Sequence, residues 1–290
     1  MNILTPLETL YAREKDTESK DLPLPLPPDL LTLYGRLQFP PHPHRPYIIG
    51  NFVTTLDGVV SLSIPGHEGG GDISGFNQHD HLVMGLLRAI ADAVIVGAGT
   101  LRAVPQHRWT AAYIAPAYAS VYQELRTRLG KPEPPLNVIV TARGAVSLDL
   151  PVFQSGEVPV LLVTTTQGEE RIRAQHIPAA VQIAGVQRAG SLSPQAIVQA
   201  VCGVRPCQVI LVEGGPQLLG DFFAEQLLDE LFLTLAPQIA GRDPSTERPG
   251  LVTGQRFAPE HPLWGSLVSV KRAGSHLFLR YTFATKETTT

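Results

Sequence analysis

The sequence predicts an α/β fold in which helices cover both faces of a mixed, mostly parallel sheet that ends in a C-terminal antiparallel hairpin. Between residues 47 and 214, short apolar runs alternate with segments of helical periodicity. This alternation is typical of parallel strands joined by crossover helices. The apolar runs are nearly continuous, as in strands buried on both faces. After residue 229 the strands follow one another without a long helix, which predicts an antiparallel edge.

The composition limits the function classes. The chain has 290 residues, 43% of them hydrophobic, and can bury a sizeable core as one large domain or two smaller ones. A formal net charge of −3 provides no basic field, so we expect no nucleic-acid partner. The N-terminus has no signal-peptide pattern and no stretch approaches about 18 apolar residues, so we expect no membrane partner and a cytoplasmic protein.

Residues 1–46 are predicted to be a proline-rich N-terminal arm, and residues 47–290 the main domain. Within the arm, residues 22–46 contain many prolines and one short apolar segment, "LLTLYG". Such a composition favours extended or polyproline geometry. We therefore expect the arm to lie on the domain or on a neighbouring subunit.

The domain begins with a strand over residues 47–55, then an Asp57-Gly58 turn and a second short strand ending near residue 63. A glycine-rich loop leads into a helix with apolar positions at helical spacing, for which Ser74 or Asn77 is the N-cap. A buried strand over residues 93–96 follows and ends in a glycine turn.

The remaining elements continue the alternation. Helices are predicted near 115–129, 168–175 and 193–202, and strands over 136–142, 158–165, 180–186, 208–214, 229–237, 263–274 and 275–283. The last two strands meet at a turn around Gly274. The segment 238–262, rich in Pro and Gly, is predicted to be a long loop that acts as a lid or a dimer contact.

Glycines follow a strand at three places: Gly58, the pair Gly97 and Gly99, and the pair Gly214 and Gly215. In α/β sheets, ligands bind outside the carboxyl ends of the strands, where N–H groups at a helix N-terminus face a phosphate. Three such turns on one edge predict a single dinucleotide cleft. None of them is G-x-G-x-x-G, so the cleft lacks the Rossmann fingerprint.

Each turn also has a purely structural interpretation. Glycine serves tight turns for conformational reasons, and Asp-Gly, as in Asp57-Gly58, is a common turn sequence. The stretch "LVEGGPQLLG" is more specific, because Pro216 stands at the first position of a predicted helix and Glu213 at the strand end. A buried Glu213 requires either a structural partner or a substrate. Arg88, on the flank of an apolar helix, is more often a solvated residue than a ligand.

The motifs "NFVTTLDGVVS", "DISG", "LLRAIADAVIVGAGTLRA" and "VILVEGGPQLLGDFFAEQLLDELFLTLAPQIAG" occur in one order between about residues 46 and 283. In this order and spacing the chain resembles the RibD C-terminal domain family, the reductase domain of the bifunctional riboflavin-biosynthesis deaminase/reductase. The segments "PQHRWT" and "HLFLRY" resemble its stand-alone pyrimidine reductase branch.

The resemblance implies a three-layer α/β/α, dihydrofolate-reductase-like fold, a homodimer and the cofactor NADPH. It implies an NADPH-dependent oxidoreductase that reduces the ribosyl group of 5-amino-6-(5-phosphoribosylamino)uracil to ribityl in riboflavin biosynthesis. The zinc motif of the partner deaminase, H-x-E with P-C-x-x-C, is absent from the sequence, so we expect no metal and a separate deaminase.

The resemblance also assigns site residues. Asp57 and Glu213 are the two candidate catalytic carboxylates, with Glu213 also binding substrate, and Arg88 and Arg108 are candidate substrate ligands, Arg88 for the phosphate. The cofactor-binding set comprises Val53, Thr55, Gly97, Gly99, Thr100, Thr141, Arg143, Gly214, Gly215, Pro216, Gln217, Leu218 and Leu219. Arg143 lies on the side of the adenosine 2′-phosphate and favours NADPH over NADH by its charge.

Two segments depart from the family pattern. Val104-Pro105 replaces an acid after "GT", and "HRWT" shifts Arg108 in register. Two alternatives therefore stay open, a dihydrofolate or pterin reductase with the same fold and a non-catalytic NADPH-binding protein. Oxidation of NADPH by each substrate separates the enzymes, and a non-catalytic protein would be stabilised by NADPH without oxidising it.

Overall fold

A computed structural model describes residues 4–13, 23–40, 42 and 44–285. In this part of the chain, ten strands form one sheet. They are β1 (Glu8–Ala12), β2 (Tyr47–Thr54), β3 (Ala93–Gly97), β4 (Leu136–Thr141), β5 (Val160–Thr165), β6 (Val181–Gln187), β7 (Val209–Val212), β8 (Glu230–Leu235), β9 (Ser266–Ala273) and β10 (His276–Thr282). Their order in the sheet is β1-β9-β10-β8-β2-β7-β3-β4-β5-β6.

Helices connect most of the strands. The α-helices are α1 (Pro28–Tyr34), α2 (Gly70–Ser74), α3 (Gln78–Ile90), α4 (Ala98–Ala103), α5 (Ala111–Ile114), α6 (Ala119–Arg128), α7 (Pro151–Gln154), α8 (Thr166–Arg173), α9 (Pro194–Val204) and α10 (Pro216–Ala224). A 3₁₀ turn, Pro116–Tyr118, precedes α6. Helix α3 begins at the predicted cap Asn77, whose side chain accepts hydrogen bonds from the N–H groups of His79 and Asp80.

The sheet is mixed, as predicted. Strand β2 pairs in parallel with β7 and β8, and parallel pairing continues through β3, β4, β5 and β6. Strands β8, β10, β9 and β1 pair antiparallel. The predicted C-terminal hairpin is confirmed, with His276 opposite Ala273.

Two apolar cores cover opposite faces of the sheet, which confirms the three-layer α/β/α arrangement. Neighbouring residues of β2 illustrate the division, because Ile49 belongs to one core and Ile48 to the other. The first core includes buried side chains of α1, α3, α6, α7 and α8, and the second those of α9 and α10. Alternation along each strand places successive side chains on opposite faces.

The N-terminal segment differs from the expectation of an extended arm. Residues Glu8–Ala12 form the edge strand β1, and Pro28–Tyr34 form helix α1. Pro28 occupies the start of this helix, where its fixed φ is favourable and no N–H is needed. Leu30, Leu33 and Tyr34 are buried in the first core, and this burial favours helix over polyproline geometry. The segment lies on the domain itself, and the domain boundary at residue 46 stays a prediction.

The short strand expected between residues 56 and 63 is wrong. These residues form turns and irregular loop. Thr55 closes the turn locally, since its N–H donates to the Val59 carbonyl and its hydroxyl accepts from the Val59 N–H at 2.9 Å. The next N–H, of Val60, donates to Pro249 in the long connection between β8 and β9. With these groups engaged elsewhere, no ladder with a neighbouring strand forms.

Among the described residues, no helix is both long enough and apolar enough to cross a lipid bilayer.

A buried ion pair ties the start of β2 to the start of β8. Asp229 accepts hydrogen bonds from both terminal nitrogens of Arg45, at 2.7 and 2.6 Å, and from the N–H of Ile48 at 2.7 Å. Both charged side chains are only 6% exposed.

We expect Asp229→Asn to lower the free energy of unfolding by about 3 kcal/mol, because Arg45 loses its counter-charge while buried.

Urea denaturation measures this change. The matched control is Glu124→Gln, which breaks the exposed pair of Glu124 with Arg128 and should cost less than about 1 kcal/mol. Equal effects of the two substitutions would contradict the assignment of Asp229 as a buried anchor.

Candidate active site

The predicted site residues follow four adjacent strands. Thr55 and Asp57 come after β2, Glu213 after β7, Gly97 at the end of β3, and Thr141 at the end of β4. The order β2-β7-β3-β4 places these strand ends side by side. All four strands are parallel, so their carboxyl ends share one edge of the sheet, where α/β folds bind ligands.

The glycine turns after β3 and β7 contact each other. A Cβ added to Gly214 would lie 3.3 Å from the Gly97 nitrogen and 2.5 Å from the Leu218 side chain, so a larger residue does not fit there. A Cβ on Gly215 would lie 3.8 Å from the Thr100 hydroxyl. The two turns therefore form one backbone-lined surface.

Helix α10 presents N–H groups to this surface. Its N-cap is Gly215, which has no side chain to cap the first turn, and Pro216 follows it. The side chains of Leu218 and Leu219 are buried in the core, whereas Gln217 is exposed. A ligand would therefore contact the two leucines through their main-chain N–H groups, as in phosphate binding at helix N-termini.

The nicotinamide candidates lie at the end of β2. Val53 and Thr55 are buried, and the Thr55 hydroxyl is engaged in the turn. Helix α2 lies against this strand, since a Cβ on Gly70 would be 3.2 Å from the Val53 side chain. A ligand here would meet a backbone and side-chain surface already fixed by packing.

Glu213 forms a buried ion pair with Arg88. The Nε and Nη2 atoms of Arg88 lie 2.9 and 2.8 Å from Glu213 Oε2, and the side chains are 2% and 6% exposed. Glu213 thus has the structural partner that its burial requires. The N–H groups of Arg88 are directed at protein acceptors in this conformation, and its role as phosphate ligand stays a prediction.

Two further residues complete this cluster, and sequence reasoning missed both. Asn51 on β2 donates from Nδ2 to Glu213 Oε1 at 3.1 Å. His107 Nε2 lies 2.9 Å from Arg88 Nη1, which also donates to the Thr110 carbonyl at 3.3 Å. The departure at "HRWT" was the one signal near His107, whereas Asn51 is a polar residue inside a strand of apolar neighbours.

Arg108 points away from this cluster. Its Nε lies 3.1 Å from Glu157, and its guanidinium lies over the Tyr113 ring at 5.2 Å. The adjacent Trp109 is buried and is held through its backbone by Asn137. The structure therefore brings His107 rather than Arg108 into contact with Arg88, the partner of Glu213.

Asp57 connects the β2 turn with the long connection after β8. Its Oδ1 accepts from the Thr55 hydroxyl at 2.5 Å and from the Ala240 N–H at 3.1 Å, and its Oδ2 accepts from the Gly241 N–H at 2.8 Å. These hydrogen bonds, that of Thr55 foremost, lower the pKa of Asp57 to about 2. At neutral pH Asp57 is therefore an acceptor and not a proton donor.

The adenosine candidates lie further along the same edge. Thr141 is buried, and its carbonyl accepts from Thr164 at 2.6 Å. Arg143 is exposed, and its carbonyl accepts from Arg171 at 3.0 Å. The guanidinium group of Arg171, on helix α8, thus lies next to the exposed Arg143 at this end.

An open groove of about 500 Å³ borders the other end of the site. Hydroxyl-bearing side chains dominate its walls, which are formed by Ser63, Ser245, Thr246, Glu247, Pro249 and Thr253. Thr253 donates from its N–H to the Pro216 carbonyl, so the groove adjoins the start of α10.

Comparison with known proteins relates this arrangement to a family. The RibD C-terminal domain family matches residues 46–273. A 2,5-diamino-6-ribosylamino-4(3H)-pyrimidinone 5′-phosphate reductase from Archaeoglobus fulgidus is 30% identical over 203 residues, which is 70% of this chain and 85% of the relative.

Solved structures share the fold. A pyrimidine reductase-like protein from Corynebacterium diphtheriae superimposes with a TM-score of 0.64 at 19% identity, covering 95% of this chain and 100% of that one. A deaminase/5-amino-6-(5-phosphoribosylamino)uracil reductase from Thermotoga maritima has a TM-score of 0.58 at 20% identity, covering 83% of this chain. The match spans 57% of the length of the Thermotoga protein.

The Asp57 hydrogen bonds predict its titration. The lowered pKa means that the ionised carboxylate stabilises the fold above the unfolded value of about 3.9, and that this stabilisation is lost as pH falls through about 2. Carboxyl-carbon NMR should give a midpoint near 2 for Asp57, and Thr55→Val should raise it. A wild-type midpoint near 4 would show that these hydrogen bonds do not form in solution.

Proposed function

Because the chain belongs to the RibD C-terminal domain family, we propose that it is a reductase of riboflavin biosynthesis that converts the ribosyl group of a 6-ribosylaminopyrimidine 5′-phosphate to ribityl. The observation that carries the proposal is the buried Glu213 carboxylate beside two facing glycine turns. The Archaeoglobus relative is named for the 2,5-diaminopyrimidinone, whereas the uracil that the family resemblance implies has oxygen in place of the 2-amino group.

The residues at the strand ends fit a nicotinamide dinucleotide. Glycines 97, 214 and 215 form a backbone surface that a Cβ would obstruct at residue 214, and the first turn of α10 is free of a side-chain cap. These main-chain groups suit the pyrophosphate, with Val53 and Thr55 on the nicotinamide side. When bound, the cofactor supplies the hydride that reduces C1 of the opened sugar.

We propose NADPH as the cofactor, with Arg143 and Arg171 as the cations that would face its adenosine 2′-phosphate; the support is that Arg143 follows the end of β4 and that Arg171 donates to its carbonyl. A phosphate dianion is attracted by guanidinium groups, which bind it by charge-assisted hydrogen bonds. NADH lacks this phosphate and gains nothing from the two cations.

The carboxylates have distinct tasks in the proposed reaction. Opening of the sugar creates a positively charged imine nitrogen, and a nearby carboxylate stabilises that charge. Glu213 is suited to this task because Arg88 and Asn51 hold both of its oxygens in place. Asp57, kept ionised by its three hydrogen-bond donors, adds negative charge at the β2 turn.

The substrate phosphate requires a cation, and Arg88 is the proposed ligand. Its buried ion pair with Glu213 means that the phosphate would share the guanidinium with this carboxylate. Binding would then link the phosphate position to the orientation of Glu213. A substrate without a phosphate, such as a dihydrofolate or pterin, would not make this contact with Arg88. Dependence of turnover on the substrate phosphate therefore distinguishes the proposed reaction from reduction of a dihydrofolate or pterin.

We further propose a homodimer in the cytoplasm. Ile239 and Trp264, on the connection between β8 and β9, are 75% and 84% exposed, which supports an apolar contact with a second copy. Light scattering against the chain mass of 31.3 kDa tests this assembly.

The function is tested by following NADPH oxidation with the diaminopyrimidinone phosphate, the aminouracil phosphate and dihydrofolate. We expect turnover of a pyrimidine phosphate, and Glu213→Gln should lower kcat at least tenfold while the Kd for NADPH changes less than twofold. The control Glu169→Gln alters an exposed pair with Arg173 and should retain wild-type rates. Turnover of dihydrofolate alone, or of no substrate, would refute the assignment.

Cofactor choice is tested by Arg143→Ala. We expect the KM for NADPH to rise about tenfold with the KM for NADH unchanged, because only NADPH loses a phosphate contact. Arg128→Ala, on helix α6, is the charge-matched control and should change neither value. Equal KM values for both cofactors in the wild type would exclude a 2′-phosphate role for Arg143.

A further inference from the structure

The contact between Arg88 and His107 fixes the hydrogen positions on the imidazole. A guanidinium group has five N–H donors and no acceptor. At 2.9 Å from Arg88 Nη1, the Nε2 atom of His107 must therefore accept. A neutral imidazole that accepts at Nε2 carries its proton on Nδ1.

The surroundings of His107 keep it neutral. Burial lowers its pKa most, and the charges of Arg88 and His81 on α3 and of Arg108 beside it lower the pKa further, to about 2. The ring also packs against Trp109 and Tyr113, with centroid distances of 5.2 and 4.5 Å. His107 is therefore an uncharged acceptor throughout the physiological pH range.

Because His107 is neutral, Glu213 is the one counter-charge that contacts Arg88 within the part of the chain that the structure describes. Two N–H groups of the guanidinium are directed at Glu213 Oε2, and Nη1 is shared between His107 and the Thr110 carbonyl. A carboxylate at position 107 would compete with Glu213 for the guanidinium. The imidazole instead restrains rotation of the guanidinium without drawing it away from Glu213.

We infer that His107 is a positioning residue: it accepts from Arg88 and so fixes the orientation of Glu213 for the reduction. The inference rests on the proposed function for its catalytic consequence, and on the contacts alone for its geometry. The segment that carries His107 is itself anchored, because Asn137 on β4 accepts from the Trp109 N–H at 3.0 Å and donates to its carbonyl at 3.3 Å.

Two substitutions distinguish the role of the hydrogen-bond acceptor of His107 from the role of its aromatic ring. The amide oxygen of His107→Gln can occupy the position of Nε2, whereas His107→Asn is too short to place an acceptor there. We expect His107→Asn to lower kcat about tenfold with the KM for NADPH within twofold, and His107→Gln to stay within about threefold of the wild-type kcat. His176→Ala, at an exposed histidine before β6, is the control and should leave kcat and the KM for NADPH at their wild-type values.

A spectroscopic measurement tests the geometry without relying on activity. Long-range ¹H–¹⁵N correlation spectra of the imidazoles should contain one neutral histidine protonated at Nδ1, unchanged between pH 5 and 8. Its signal should be absent from His107→Gln, which assigns it. A His107 protonated at Nε2, or one that titrates in this range, would overturn the inference.

The outcomes separate this inference from the proposed function. If the wild-type protein reduces neither pyrimidine phosphate, the function fails, and the spectra still decide the placement of His107. If the wild type is active and His107→Asn matches it in kcat, the positioning role fails and the function stands. Loss of activity in both variants, with wild-type thermal stability, would also refute the acceptor role, because Gln should restore it.

Discussion

The buried ion pair of Arg88 with Glu213 is the contact on which the candidate site depends. Removing two charges from water is costly, and the attraction between them compensates only when the remaining hydrogen-bonding groups are satisfied. Asn51, His107 and the Thr110 carbonyl provide those partners. These groups come from β2, α3, the end of β7 and the segment before α5. The ion pair therefore forms only when these four segments are packed against one another as in the folded protein. The geometry of Glu213 is thus a property of the whole fold.

Helix α3 is held at both ends, which explains how it positions Arg88 in its last turn. At the C-terminus, Arg126 Nη1 donates to the carbonyls of Ala89 and Ala91, each at 2.9 Å, and satisfies groups that the helix leaves free. At the N-terminus, Asn77 caps the helix and His79 lies 2.9 Å from the Thr5 carbonyl of the N-terminal segment. That segment therefore supports the helix that carries Arg88.

The long connection between β8 and β9 forms a wall of the site. Ala240 and Gly241 donate to Asp57, and the carbonyl of Thr253 would lie 2.9 Å from a Cβ on Gly220 of α10. Glycine at position 220 thus permits close packing of the connection on the helix. The hydrogen bonds to the ionised Asp57, together with this packing, fix the segment between β8 and β9 beside the carboxyl ends of the strands.

The sequence by itself determined the nine strands from β2 to β10 but also predicted a further strand at residues 56–63 that does not form. It also determined the longer helices, the parallel sheet with its hairpin, and the position of Asp57, Glu213 and the glycine turns at one edge. These features depend on periodicity and turn chemistry within about ten residues. Only the tertiary structure decided that α1 is a helix and that Glu213 binds Arg88 and Asn51, which are 125 and 162 residues away in the chain. Such pairings follow from strand order and burial, because a polar side chain that folding removes from water needs a partner, and the chain segments packed next to it supply that partner.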